Sequence, residues 1–175
     1  PVSPTLSKGS KLQKAFVYVK SGLEGKVFDW PRTPVTVAND CCIYRPRISG
    51  AQLHQPIRFV NKDPATHNIH GFLADGKDFN FTLGARAIER DIKVRTPQIM
   101  MMVKCDLHPW MIAHVGVLPH PFFAVTADDG SFELKGLPPG DYTLEPWHEK
   151  FGTGTATVKV EKPDVGNVEF CFPGK

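Results

Sequence analysis

Residues 99–118 read IMMMVKCDLHPWMIAHVGVL. On the first side of this stretch Met101, Val103 and Cys105 alternate on one face, and residues 112–118 make a second short apolar run. Alternation over so few residues is the period of a strand, and Pro109 between the runs breaks any ladder, so the stretch reads as two strands joined by a loop. The same pattern recurs outward from it at 15–20, 35–38, 42–45, 56–61, 79–83, 87–94, 122–126, 131–135, 142–147, 153–161 and 167–172. Nowhere is a 3.6-residue period sustained for the length of a helix, and the 15 glycines and 16 prolines interrupt every run. The chain is therefore expected to be all-β, a sandwich or barrel. Asp128-Asp129-Gly130 reads as a hairpin turn, and Leu137-Pro138-Pro139-Gly140-Asp141 as a tight loop before the next strand.

Composition narrows the function. Lys and Arg number 21 against 18 Asp and Glu, a net +3 with no basic block, so nucleic acid is not an expected partner. The apolar runs are strand-length, too short for a transmembrane helix. The chain starts at Pro1 without an initiator Met or an apolar leader, consistent with a removed presequence or a trimmed chain. A composition shift near 118–121 marks an expected domain boundary.

The loop of the opening stretch carries the chemistry. Cys105, His108 and Met111 form C-x-x-H-x-x-M. A thiolate, an imidazole and a thioether on one inter-strand loop can converge on one ion, and soft sulfur with imidazole suits copper. A second imidazole would complete the set, and in Asn61-Lys62-Asp63-Pro64-Ala65-Thr66-His67-Asn68-Ile69-His70 either His67 or His70 could supply it. Both would share one ion only if the chain turned between them, which Gly71 would permit. Two His and a Cys with a weak axial Met is the electron-transfer copper geometry. Zinc is the chemical rival, but it gains little from the thioether of Met111. The loop lacks the C-x-x-C-H of haem attachment, and Cys41-Cys42 is not a C-x-x-C redox pair.

The loop 105–111 resembles the ligand loop of the cupredoxins, most closely the short C-x-x-H-P-aromatic-M loop of the amicyanins. Thr66-His67-Asn68 is similar to the Pro-His-Asn segment around the upstream ligand of that family, with Thr in place of Pro. The resemblance spans 35–118 and implies a cupredoxin-like Greek-key β-sandwich holding one mononuclear copper. It makes His67, Cys105, His108 and Met111 the ligands, leaves His70 as the alternative, and makes Asn68 the residue that ties the upstream strand to the Cys loop. Pro109 and Trp110 would form a contact patch for a redox partner such as a cytochrome or oxidase.

Residues 124–144 resemble the T-x-x-x-G-x-F-x-L-x-G-L-P-P-G-x-Y-T-L signature of carboxypeptidase-regulatory-like, transthyretin-type β-sandwiches. That implies a small second module over 119–173. In that family an A-x-V-x-V strand precedes the signature, and Ala15-Phe16-Val17-Tyr18-Val19 alone fits, so strand 13–20 is expected to complete the module and the copper unit to be inserted between its parts. The two-part chain is similar to bacterial cell-envelope proteins, which implies a periplasmic or otherwise extracytoplasmic location. The expected function is one-electron transfer rather than enzymatic turnover. Copper delivery or storage, and a structural role in an envelope assembly, are the alternatives.

The remaining sulfur and imidazole groups fall outside this set. If Cys105 is a ligand, Cys41, Cys42 and Cys171 allow at most one intrachain disulfide. Met100, Met101 and Met102 should point alternately to opposite faces, as core and partner surface rather than a sulfur cluster. His54, His114, His120 and His148 are dispersed and read as surface or hydrogen-bonded histidines, not as a second, catalytic copper site.

Overall fold

Val37, Phe59, Ile69, Val103 and Val115 come from five separate strands, and burying their faces together is what closes the larger part of the molecule. A computed structural model describes residues 12–86, 89–161 and 168–172. Among them the regular structure is entirely β, with no helix. The strands are β1 (Phe16–Ser21), β2 (Val35–Asn39), β3 (Tyr44–Arg45), β4 (Ile48–Gln52), β5 (Ile57–Asn61), β6 (His67–Phe72) and β7 (Phe79–Leu83). They continue as β8 (Arg90–Ile92), β9 (Gln98–Lys104), β10 (Ile112–Leu118), β11 (Phe123–Val125), β12 (Gly140–His148), β13 (Gly152–Thr153) and β14 (Ala156–Val160). Two units result: Val27–Pro121, and the described residues of 1–26 together with those of 122–175.

The unit Val27–Pro121 holds two sheets, β4-β10-β9-β6-β7 and β3-β2-β5-β8. Val37, Ile57 and Phe59 of the second sheet pack against Ile69, Val103 and Val115 of the first, so the unit is a β-sandwich. Two of its pairings are parallel, β4 with β10 and β2 with β5.

Three features depart from the sequence pattern. β4 and β6 form where no strand was expected, because Gly50 interrupts one apolar pattern and His and Asn dilute the other. Residues 67–72 do not turn at Gly71: Gly71 faces Phe79, and a Cβ there would lie 2.1 Å from the Phe79 Cζ, so its role is to admit that ring. On β9 the register slips, with Val115 opposite Met101 but Val117 opposite Gln98. The extra residue is a bulge at Met100, whose φ of 58° takes it out of extended geometry, so Met100 and Met101 are both buried and strict alternation fails there.

In the other unit β1 lies between β11 and β12, and β12 also pairs with β13 and β14. Ala15, Phe16, Val17, Tyr18 and Val19 are all buried. Residues 131–135, expected as a strand, are irregular although Phe132 and Leu134 are buried, since their backbone joins no ladder between Gly130 and Gly136, both at positive φ. The expected strands at 87–94 and 167–172 begin outside the described residues.

Candidate metal centre

The loop 105–111 is closed by its own backbone. Cys105 N–H donates to Met111 O at 3.1 Å and Met111 N–H to His108 O at 2.9 Å, continuing the β9–β10 ladder while Pro109 keeps the tip irregular. Cys105 and Met111 are thereby both fully buried in the sandwich core, whereas His108 at the tip is half-buried.

His67 reaches the same place from β6. As the first residue of that strand it points inward with Ile69, and its ring has no solvent exposure. Its Nδ1 lies 3.1 Å from His108 Nδ1, which is 3.5 Å from Cys105 Sγ. One donor atom from each of His67, Cys105 and His108 lies within 4.8 Å of the others.

Asn68 links the two segments. Its backbone N–H donates to Cys105 Sγ at 3.3 Å, and its Oδ1 accepts from Asp106 N–H at 3.1 Å. Its Nδ2 is hydrogen-bonded to Asn80 Oδ1, and its carbonyl accepts from the buried Tyr44 hydroxyl at 2.7 Å. Burial pushes the Tyr44 phenol upward, with the Cys105 and Asp106 charges acting in the same sense, so it stays a donor. Both segments are thus held by hydrogen bonds independent of any ion.

His70 is directed elsewhere. Its Nδ1 lies 3.0 Å from Asp106 Oδ2, its ring stacks on Phe72, and it is absent from the donor cluster. Burial raises the Asp106 carboxyl, but hydrogen bonds from Asn80 and His70 and the nearby Lys104 more than offset this and hold it below its ordinary value. Around the half-buried His108, Leu107, Pro109 and Trp110 are exposed, with Trp110 at 61%. The indole stands edge-on to His108 at 5.2 Å and donates to Cys42 O at 3.0 Å.

The sequence assigned no role to Asp63, and the structure gives it one. Its side chain is buried and accepts from the amides of Cys41 (2.7 Å) and Cys42 (3.0 Å), with His67 Nε2 at 2.8 Å. Desolvation raises its pKa, but the two amides and His67 outweigh it and the carboxyl is held below its ordinary value. In the tautomer that carries its proton on Nε2, His67 donates to the ionised Asp63, which leaves Nδ1 bare on the side of Cys105 and His108. The donor set fits a soft ion: two imidazole nitrogens, a sulfur that accepts an amide hydrogen bond, and a buried thioether in the same core. All four thiols of the described residues are free.

No family model matches the chain, and no curated protein matches it. Solved structures do. A copper-containing nitrite reductase from Thermus scotoductus SA-01 is 22% identical over 51% of this chain, with a TM-score of 0.45. The match covers 23% of that protein, so the chain spans about a quarter of its length. An amicyanin variant in its Cu(I) form is 17% identical over 59% of this chain and 98% of its own, at a TM-score of 0.44. A purple cupredoxin from Nitrosopumilus maritimus is 20% identical over 47% of this chain and 98% of its own, at 0.40.

Proposed function

We propose that the unit Val27–Pro121 binds one copper ion through His67, Cys105, His108 and Met111 and works in one-electron transfer. The observation that carries this reading is the convergence of His67 from β6 with Cys105 and His108 from the β9–β10 loop. When bound, copper would supply the one-electron couple.

The chain's own residues supply rigidity and access. Asn68 braces β6 against the loop, and Asp63 accepts from Nε2–H of His67 when its Nδ1 ligates, so the donors keep their places whichever oxidation state is present. Cys105 and Met111 are shielded from water. His108, half-buried and flanked by exposed Leu107, Pro109 and Trp110, is the group a partner protein could approach, and a cytochrome or oxidase is the proposed partner class.

The proposal extends to the second unit as a carboxypeptidase-regulatory-like sandwich into which the copper unit is inserted, and to an extracytoplasmic location. The placement of β1 between β11 and β12, on either side of the insertion, supports the insertion; the location rests on the resemblance of the two-part chain alone.

The test is the visible and electron-paramagnetic spectrum of the oxidised, copper-loaded protein, with metal counted on the same sample. One copper with an intense thiolate charge-transfer band and narrow hyperfine coupling is expected, and Cys105→Ser should abolish the band. Zinc, or copper without that band, would remove Cys105 from the ligand set and with it the electron-transfer reading.

A further inference from the structure

His67 has two faces, and the proposed centre uses one. Beyond the other lies a second cluster, in which the Cys42 sulfur, an Asp63 carboxylate oxygen and a His67 ring nitrogen lie within 4.8 Å of one another. His67 and Asp63 are buried, while Cys42 is half-buried at the surface corner 40–43. That corner is built tightly. Cys41 and Cys42 have φ of 55° and 56°, which turns their successive amides onto the Asp63 carboxylate, and Trp110 holds the Cys42 carbonyl. Three donors therefore run inward from the surface, as thiol, carboxylate and imidazole.

We infer that Cys42, Asp63 and the Nε2 side of His67 form an outer site that takes up monovalent copper while the inner cluster is empty, and loads the inner cluster across the His67 ring. The inference rests on the copper reading above. Its physical basis is that a neutral imidazole offers one lone pair at a time. When His67 Nδ1–H donates to His108 Nδ1, 3.1 Å away, Nε2 is free to ligate beside Asp63 and Cys42. When Nε2–H donates to Asp63, 2.8 Å away, Nδ1 is free to ligate with Cys105 and His108. The two sites are mutually exclusive, and moving one proton from Nδ1 to Nε2 exchanges them. The Cys42 thiol releases its proton to solvent on binding and regains one when the ion leaves, while the Cys105 thiol gives up its own as the inner cluster takes the ion, so the transfer is proton-neutral. Copper stays monovalent, so no electron moves. Thiolate with imidazole is a donor set that suits a soft monovalent ion.

The experiment uses the full chain with Cys41→Ser and Cys171→Ser, which leaves Cys42 and Cys105 as the only thiols. In a first arm Cys105→Ser disables the inner cluster. This variant should still hold about one Cu(I) per chain against a competing chelator, and adding Cys42→Ser should abolish that binding. In a second arm the inner ligands are intact and loading from a Cu(I)–chelator complex is followed by the thiolate band after oxidation. Cys42→Ser should slow loading about tenfold or more while leaving the final band unchanged. Equal loading rates, Cu(I) retained without Cys42 in the first arm, or a smaller or shifted final band would each overturn the inference. Absence of any thiolate band with all inner ligands present would instead overturn the copper reading.

Discussion

His67 shows how much one buried ring depends on its neighbours. Its position is set by β6, but when its Nδ1 ligates the proton on its Nε2 is held by Asp63, whose carboxylate is itself fixed by two amides from the Cys41–Cys42 corner. Asp63→Asn keeps the size and loses the charge, and its amide group can present a donor where acceptors are needed. Copper affinity, measured by chelator competition, should fall by about 10- to 100-fold. Met111→Gln should keep copper and lower the reduction potential, read by voltammetry, because a harder oxygen replaces the thioether. Cys105, His108 and Met111 were legible in the sequence because their spacing and chemistry are local. Asp63 was not. A carboxylate four residues from a His on an extended chain has no periodic relation to it, and the loop 62–66 folds the pair together only because the Asn61 side chain donates to Ala65 O and accepts from Asp63 N–H.

At the scale of elements, β6 carries His67 inward and Asn68 onto the Cys loop, so its register is part of the site. Gly71 protects that register by leaving room for Phe79, which packs in turn against Phe59. Gly71→Ala should overpack this contact and cost about 1–3 kcal/mol in denaturant unfolding. On β12, His148 is buried against Phe151 and Phe172, and its Nδ1 accepts from Lys150 N–H. Desolvation is the main cause holding its pKa below the ordinary 6.5. The unfolded chain then binds the proton first, so this contribution is complete above pH 6.5 and is lost as pH falls from there through the lower folded value. His148→Phe should flatten that part of the stability–pH curve, measured by thermal unfolding at several pH values. β7, with its clean two-residue period, and β10, a short apolar run, lie where the sequence put them. The two that were missed, β4 and β6, are strands because neighbours in the sheet pair with them.

For the molecule as a whole, the order of strands matters more than their number. The unit containing β12 takes its interior strand from the other end of the chain, since β1 is hydrogen-bonded on both edges to β11 and β12. Deleting residues 1–21 would leave both partners with an unpaired edge and strip out the buried run from Ala15 to Val19. Hydrogen exchange should then show the amides of β11 and β12 unprotected, while those of β9 and β10 keep their protection. Equal protection of β12 with and without β1 would mean that the unit does not depend on it.

By itself the sequence determined the class of the fold and the chemistry of the loop. Two-residue alternation between Gly and Pro leaves only strands, and a Cys, a His and a Met on one inter-strand loop offer one kind of donor set. Only the tertiary structure decided which strands pair, including the parallel contacts of β2 with β5 and β4 with β10. It likewise decided that His70 turns to Asp106, and that Asp63 and Cys42 stand behind His67. The physical reason is separation along the chain. Periodicity and ligand spacing are written within a few residues, whereas these contacts join residues from different strands and exist only once the sheets have packed.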